Sequence, residues 1–138
     1  MAYIKGYEVN VTVGESASGL REIKGLETAS DNMSPDYEEI LVKANHGDAE
    51  RTLTGGTLTI NLGGKKSTLE TSESSTHYAW TQFKTWLKGD TKVYFELEDG
   101  SGNSTTGWGK ITAYSGDSDA KAISSWSATL DVAFDNID

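Results

Sequence analysis

A chain of 138 residues has room for one core and not for two, and its formal net charge of -9 sets it against the phosphate backbone of nucleic acids, which needs clustered Lys and Arg. Apolar residues make up 36% and Gly outnumbers Pro by 15 to 1, a turn-rich composition that favours strands and hairpins over a helical bundle. The absence of Cys excludes a disulfide framework, a thiolate nucleophile and a Cys-based zinc site. No apolar run reaches the ~18 residues that cross a bilayer, and Met1-Ala2-Tyr3-Ile4-Lys5 lacks the charged-then-apolar order of an export signal. The expectation is a soluble protein with no membrane anchoring, a single domain over residues 1–138, that stays in the compartment where it is made.

In chain order, Tyr7, Val9, Val11 and Val13 alternate with Glu8, Asn10 and Thr12 at the period of two that a half-buried strand requires. Arg21 to Leu26 reads as a shorter strand. From Leu26 to Asp36 the chain is polar and irregular, long for a hairpin connection, and reads as an excursion with a purpose of its own or as a floppy tip. Glu39 to Ala44 is another short strand, ending at the turn Asn45-His46-Gly47-Asp48. Leu58, Ile60 and Leu62 alternate with Thr57, Thr59 and Asn61, and Gly63-Gly64 reads as the turn that follows.

The period then changes. Ala79, Trp80, Phe83, Trp86 and Leu87 recur at three and four residues, which predicts a helix over about residues 76–88, capped by Ser75 or Thr76 and ended by a left-handed Gly89. Its two indoles suit a plug for an open side of a sandwich. Val93, Phe95 and Leu97 resume a strand against Tyr94, Glu96 and Glu98, and Asp99-Gly100-Ser101-Gly102-Asn103 turns into a strand from Gly107 to Tyr114. Ser115-Gly116-Asp117-Ser118-Asp119 is a last turn before the cleanest strand, Trp126, Ala128, Leu130, Val132 and Phe134 against Ser127, Thr129 and Asp131. The fold class expected is mainly β: an antiparallel sandwich or barrel-like domain with one flanking helix.

Chemistry is sparse. His46 and His77 have no second ligand at metal-like spacing. The Asp99 to Asn103 stretch opens like a calcium loop but has Lys110 where the bidentate Glu belongs, and Asp117 and Asp119 read as turn formers, so no metal or cofactor is expected. Glu96 and Glu98 lie on an exposed strand face with nothing apolar to raise a pKa. There is no Gly-x-Ser-x-Gly elbow and no Lys-bearing phosphate loop, so no catalytic residue is assigned and an enzyme is not expected. Tyr78, Trp108 and Tyr114 are either a surface platform or flanks of the core.

Taken in order, the pieces resemble the major tail tube proteins of long-tailed, siphophage-type bacteriophages. The likeness runs from Tyr7 to Phe134: an N-terminal strand, Ile23-Lys24-Gly25-Leu26 and a polar loop, the approach from Arg51 to Ile60, and the helix Trp80 to Leu87 leading into Lys92 to Leu97. It closes with the glycine-marked Gly107 to Ser115 and the Ser/Thr-rich strand Ser124 to Leu130. The resemblance implies a structural virion protein: a helix-flanked β-sandwich in hexameric rings that self-assemble into a hollow tube for genome ejection. Its acidic lumen would let DNA pass without specific binding. It further implies tape-measure, tail-terminator and tail-tip proteins as partners, and the virion tail as location with the host cytoplasm before assembly. Glu27, Ser30, Asp31, Asn32, Met33, Pro35 and Asp36 are the residues expected to reach a neighbouring subunit or ring. Alternatives are a carbohydrate-binding or adhesin-like sandwich, and a tail terminator or head decoration protein; contractile-tail and secretion-type tubes share the same plan. The chain departs from the family in being short, in lacking an appended surface domain and in ending on Asp135-Asn136-Ile137-Asp138.

Overall fold

The computed structural model describes residues 9–41, 49–118 and 123–138. Among these residues eight strands form one continuous sheet in the order β3-β4-β8-β7-β6-β1-β2-β5. They are β1 (Asn10–Gly14), β2 (Arg21–Ile23), β3 (Leu26–Leu41), β4 (Ala49–Lys65), β5 (His77–Tyr78), β6 (Lys92–Glu98), β7 (Ser104–Asp117) and β8 (Ser125–Ala133), with one helix, α1 (Thr81–Gly89). All pairings are antiparallel except that of β2 with β5. The sheet is sandwich-like and does not close into a barrel.

The apolar side of every alternating strand converges on one cluster: Val11 and Val13 of β1, Leu58, Ile60 and Leu62 of β4, Val93 and Phe95 of β6, and Trp126, Ala128, Leu130 and Val132 of β8. For strands at both ends of the order to share a core, the sheet must fold across it, and β7 makes the bend. Its first half, Ser104 to Lys110, pairs with β6, and its second half, Lys110 to Asp117, pairs with β8 across a bulge between Ile111 and Ala113. Gly109 sits at the bend, where a Cβ would lie 2.6 Å from the Asp131 carbonyl oxygen and 2.7 Å from Val132 Cγ2. Any side chain there would push β7 off β8.

Helix α1 plugs the core side as the two indoles suggested, with Phe83 stacked on Trp126 at 5.1 Å and Trp86 edge-on to Tyr78 at 5.0 Å. The Trp86 indole donates to Glu15 Oε1 at 3.1 Å, so its buried N–H is satisfied. The helix is shorter than the periodicity predicts. Residues Thr71–Glu73 form a 3₁₀ turn and His77–Tyr78 is strand β5, so Ser75 and Thr76 cap nothing. Trp80 occupies the N-cap with no side-chain bond, and the left-handed residue at the other end is Asp90 (φ 50°), not Gly89. A backbone hydrogen bond from Glu22 to the Thr76 carbonyl and one from Lys24 to Tyr78 hold this stretch extended, so tertiary pairing overrides local helical period.

Three further expectations change. Leu26 to Asp36 is no loop: it is the greater part of β3, paired residue by residue with β4. Gly63-Gly64 is no turn but part of the last stretch of β4, opposite Thr28 and Leu26, where a Cβ on Gly64 would strike the Gly25 carbonyl. The real turn is Lys24-Gly25, with Gly25 at φ 79°, so the strand expected over Arg21 to Leu26 splits into β2 and the start of β3. Ser115 to Asp117 continue β7 beyond the expected turn. Glu39 to Leu41 complete β3, whereas Tyr7, the rest of the strand to Ala44, the Asn45 to Asp48 turn, His46 and Asp119 lie outside the described residues.

Candidate assembly surfaces

The first surface is the β3 edge. Among the described residues β3 stands at the end of the sheet and pairs with β4 alone. Pairing of β4 with β8 begins at Thr57 opposite Ala133, so among the described residues β4 from Gly56 to Ala49 pairs with Pro35 to Leu41 alone. The two strands therefore leave the body as a ribbon about 20 Å long at ~3.3 Å per residue. Leu53 on this ribbon lies opposite Tyr37, past a bulge between Asp36 and Tyr37, and both are more than half exposed, at 55% and 56%. Met33, opposite core residue Leu58, is 54% exposed, whereas Leu26 and Ala29 earlier on β3 pack against the core.

All seven residues singled out from the sequence, Glu27, Ser30, Asp31, Asn32, Met33, Pro35 and Asp36, are exposed and lie on β3. The strand sorts them. Ser30 and Asn32 face outward beside Asn61 and Thr59, while Asp31 and Met33 continue the core side beside Ile60 and Leu58. Pro35, which has no N–H to offer, suits an edge strand. Tyr37 and Leu53 escaped the sequence reading because each is a lone large residue among polar ones.

The second surface is the outer face of β3, β4, β8 and β7. Five rows cross it: Lys65–Ser125–Asp117, Thr28–Gly63–Ser127–Ser115, Ser30–Asn61–Thr129–Ala113, Asn32–Thr59–Asp131–Lys110 and Ser34–Thr57–Ala133. Asp131, Lys110, Lys65 and Asp117 are the charged members of these rows. Asp131 accepts from Thr59 Oγ1 at 3.0 Å and Thr112 Oγ1 at 2.9 Å, Thr129 donates to Asn61 at 3.1 Å, and Lys110 turns to Asp90 at 3.1 Å.

Where this face meets β6 there is a groove of about 610 Å³ lined by Trp108, Lys92, Lys110, Thr57 and Asn136 among others. Trp108 packs edge-on against Tyr94 at 5.2 Å, and Tyr94 donates to Asp138 at 2.7 Å, which ties the C-terminus to β6. Tyr78 and Tyr114 also have partners, so these aromatics flank the core: Tyr114 stacks on Trp80 at 6.4 Å, with Lys84 within 5.4 Å of both rings and Lys66 4.8 Å from Trp80. The buried Tyr114 hydroxyl has no hydrogen-bond partner among the described residues, and burial raises its pKa.

The titratable groups have structural roles. Lys24 Nζ binds Glu73 at 2.8 Å, raising the lysine's pKa and lowering that of the glutamate. His77, at β5 and not at a helix start, meets Glu22 at 3.1 Å and Thr76 at 2.8 Å. Asp99 accepts from the backbone N–H groups of Ser101 and Asn103 and from the Ser101 hydroxyl, which holds its pKa down and closes the β6–β7 turn. Glu96 departs from expectation: a shared hydrogen bond with Glu98, together with partial burial, raises its pKa.

No protein-family model and no curated protein matches the sequence. Solved structures do match in fold. A chain from the tail of an empty gene transfer agent (GTA) particle, refined with C6 symmetry, superposes with a TM-score of 0.73 at 11% identity over 99% of this chain and 98% of that one. A chain from the virion of a native gene transfer agent particle gives 0.68 at 13% identity, covering 94% and 93%. One from the SPP1 tail tube gives 0.65 at 9% identity, covering 94% and 76%. At such identities the likeness is one of fold, and the fold of this chain is the one those tail and tail-tube structures contain.

Proposed function

We propose that this chain is the repeating subunit of a phage-type tail tube, a structural virion protein and not an enzyme, whose copies close into sixfold rings that stack around a lumen for DNA. The observation that carries this reading is the β3–β4 ribbon. A two-stranded ribbon standing alone in water is marginal at best, and this one exposes Tyr37 and Leu53 beside a strand edge that no other described residue pairs with. Such an edge invites a second chain. The tail structures that share the fold give a precedent, one of them with C6 symmetry. Glu27, Ser30, Asp31, Asn32, Met33, Pro35 and Asp36 would be buried against a neighbouring copy, and residues 1–138 would act as one domain. Tape-measure, terminator and tip proteins are the further partners of such a tube.

Negative-stain electron microscopy and sedimentation of the purified chain across a concentration series test this. Stacked hollow rings are expected; a chain that stays monomeric even when supplied with preformed tail-tip complexes contradicts the reading. One observation favours a second reading: the Trp108 groove offers an aromatic face beside polar groups, the chemistry of a saccharide site. Glycan-array binding by a monomer would support that alternative.

A further inference from the structure

We infer that the groove beside Trp108 is the seat for the β3–β4 ribbon of an adjoining copy, with Tyr37 and Leu53 of one subunit packed against Trp108 of the next. The inference rests on the tube reading and deepens it by naming the surface that receives the ribbon. A ring of more than two copies needs a contact between unlike patches, because a patch that meets itself closes a pair and stops. Tyr37 and Leu53 supply one patch: they are register partners across the ribbon, so their side chains lie together on one of its faces. The other exposed large apolar residues stand singly, Met33 below the ribbon root, Leu87 on α1 and Ile123 just before β8 at the far end of the sheet.

The groove supplies the unlike patch. Trp108 is half-buried, with Tyr94 edge-on to it at 5.2 Å, and the walls beside it are Gly109, Ala133 and the exposed Lys92. Its volume of about 610 Å³ falls in the range of roughly 300–1,000 Å³ that encloses a small ligand, so it can take two side chains. Charge agrees at the rim. Lys92 makes no ion pair among the described residues, and the ribbon sequence sets Asp36, Glu38, Glu39 and Glu50 against Arg51 alone. Placement agrees as well. Thr57 lines the groove and directly follows Gly56, so the groove lies at the end of the sheet from which the ribbon leaves. It opens toward β6, whereas β3 borders the opposite side of the same face. A copy set alongside in the same orientation, its β3 edge leading, therefore brings its ribbon to Trp108 at the same height. The root is free to turn toward that seat: Gly55 and Gly56 on β4, at φ 149° and 157°, stand beside the bulge between Asp36 and Tyr37 on β3.

The chain has no Cys, so single substitutions give clean reporters. A tagged Asp36→Cys chain would be co-assembled with untagged Lys92→Cys, or with Thr85→Cys on the exposed side of α1 as comparator, and treated with a short bismaleimide. Each chain carries one thiol, so a product of mixed mass forms between copies and never within one. The expected result is a mixed dimer of Asp36→Cys with Lys92→Cys in assembled tubes, absent from dilute monomers and from the Thr85→Cys mixture. Intact tubes in which Asp36→Cys joins Thr85→Cys as readily, or joins neither, would overturn the seat and leave the tube reading standing. Absence of tubes for the unsubstituted chain would overturn the tube reading and this inference with it. As a second readout, Trp108→Ala should melt cooperatively yet require about tenfold higher concentration to assemble, with Trp108→Phe restoring assembly. Equal assembly by Trp108→Ala and the unsubstituted chain would also overturn the seat.

Discussion

At Glu96 the sequence expectation and the structure part, and the reason is local. Glu96 and Glu98 project from the same face of β6, two residues apart, and a proton shared between them is favoured over two bare carboxylates. A carboxylate whose folded pKa is raised contributes stability that is fully present below the ordinary glutamate value of 4.5 and is lost as pH rises through the raised value. Glu73 has the opposite sign: its pKa is lowered by Lys24, so its contribution is present above 4.5 and is lost on acidification. Glu96→Gln is therefore expected to raise Tm at neutral pH relative to the unsubstituted chain, with the gain vanishing as pH falls to the 4.5 range. Thermal melts of both proteins across that interval check it, and a Tm difference independent of pH would show that Glu96 does not share its proton.

At the scale of elements, the four strands with strict apolar alternation were legible because one of their faces is buried, and burial is what alternation records. β3 was not legible for the complementary reason. It has one neighbour and both of its faces meet solvent, so its sequence carries no period; β4, through its backbone, makes it a strand. The seven residues expected to reach a neighbour were found by their polarity, and the structure gives them an ordered edge in place of a loop. The distinction has a consequence for mutation. Tyr37 and Leu53 are exposed, so Tyr37→Asp/Leu53→Asp should change monomer stability by no more than about 0.5 kcal/mol in denaturant titration. Self-association, read by sedimentation, should be abolished by the same pair. A variant that unfolds would show that the ribbon is part of the folding unit; one that assembles normally would remove the ribbon from the interface. By contrast Phe83→Ala empties a fully buried site between Trp86 and Trp126 and should cost about 3–5 kcal/mol.

For the whole molecule the governing tension lies between charge and apolar contact. Each copy carries -9, so bringing several into a ring accumulates repulsion that the contacts must exceed. Screening shortens that repulsion, with a Debye length of about 10 Å at 0.1 M salt and about 3 Å at 1 M. An interface built on Tyr37, Leu53 and Met33 and on backbone pairing at β3 loses little in salt, because neither apolar burial nor strand pairing depends on long-range fields. The balance therefore shifts toward assembly as salt rises, and the protein concentration at half-assembly should fall between low and high ionic strength. Light scattering across a salt series reads this directly. The opposite slope would mean that ion pairs carry the contact, with the cations beside Trp80, Lys66 and Lys84, meeting carboxylates of the next copy. The interface would then be at the helix side of the core and not along the β3 edge, and charge reversal at Lys84, silent in the ribbon interface, would be the substitution that stops assembly.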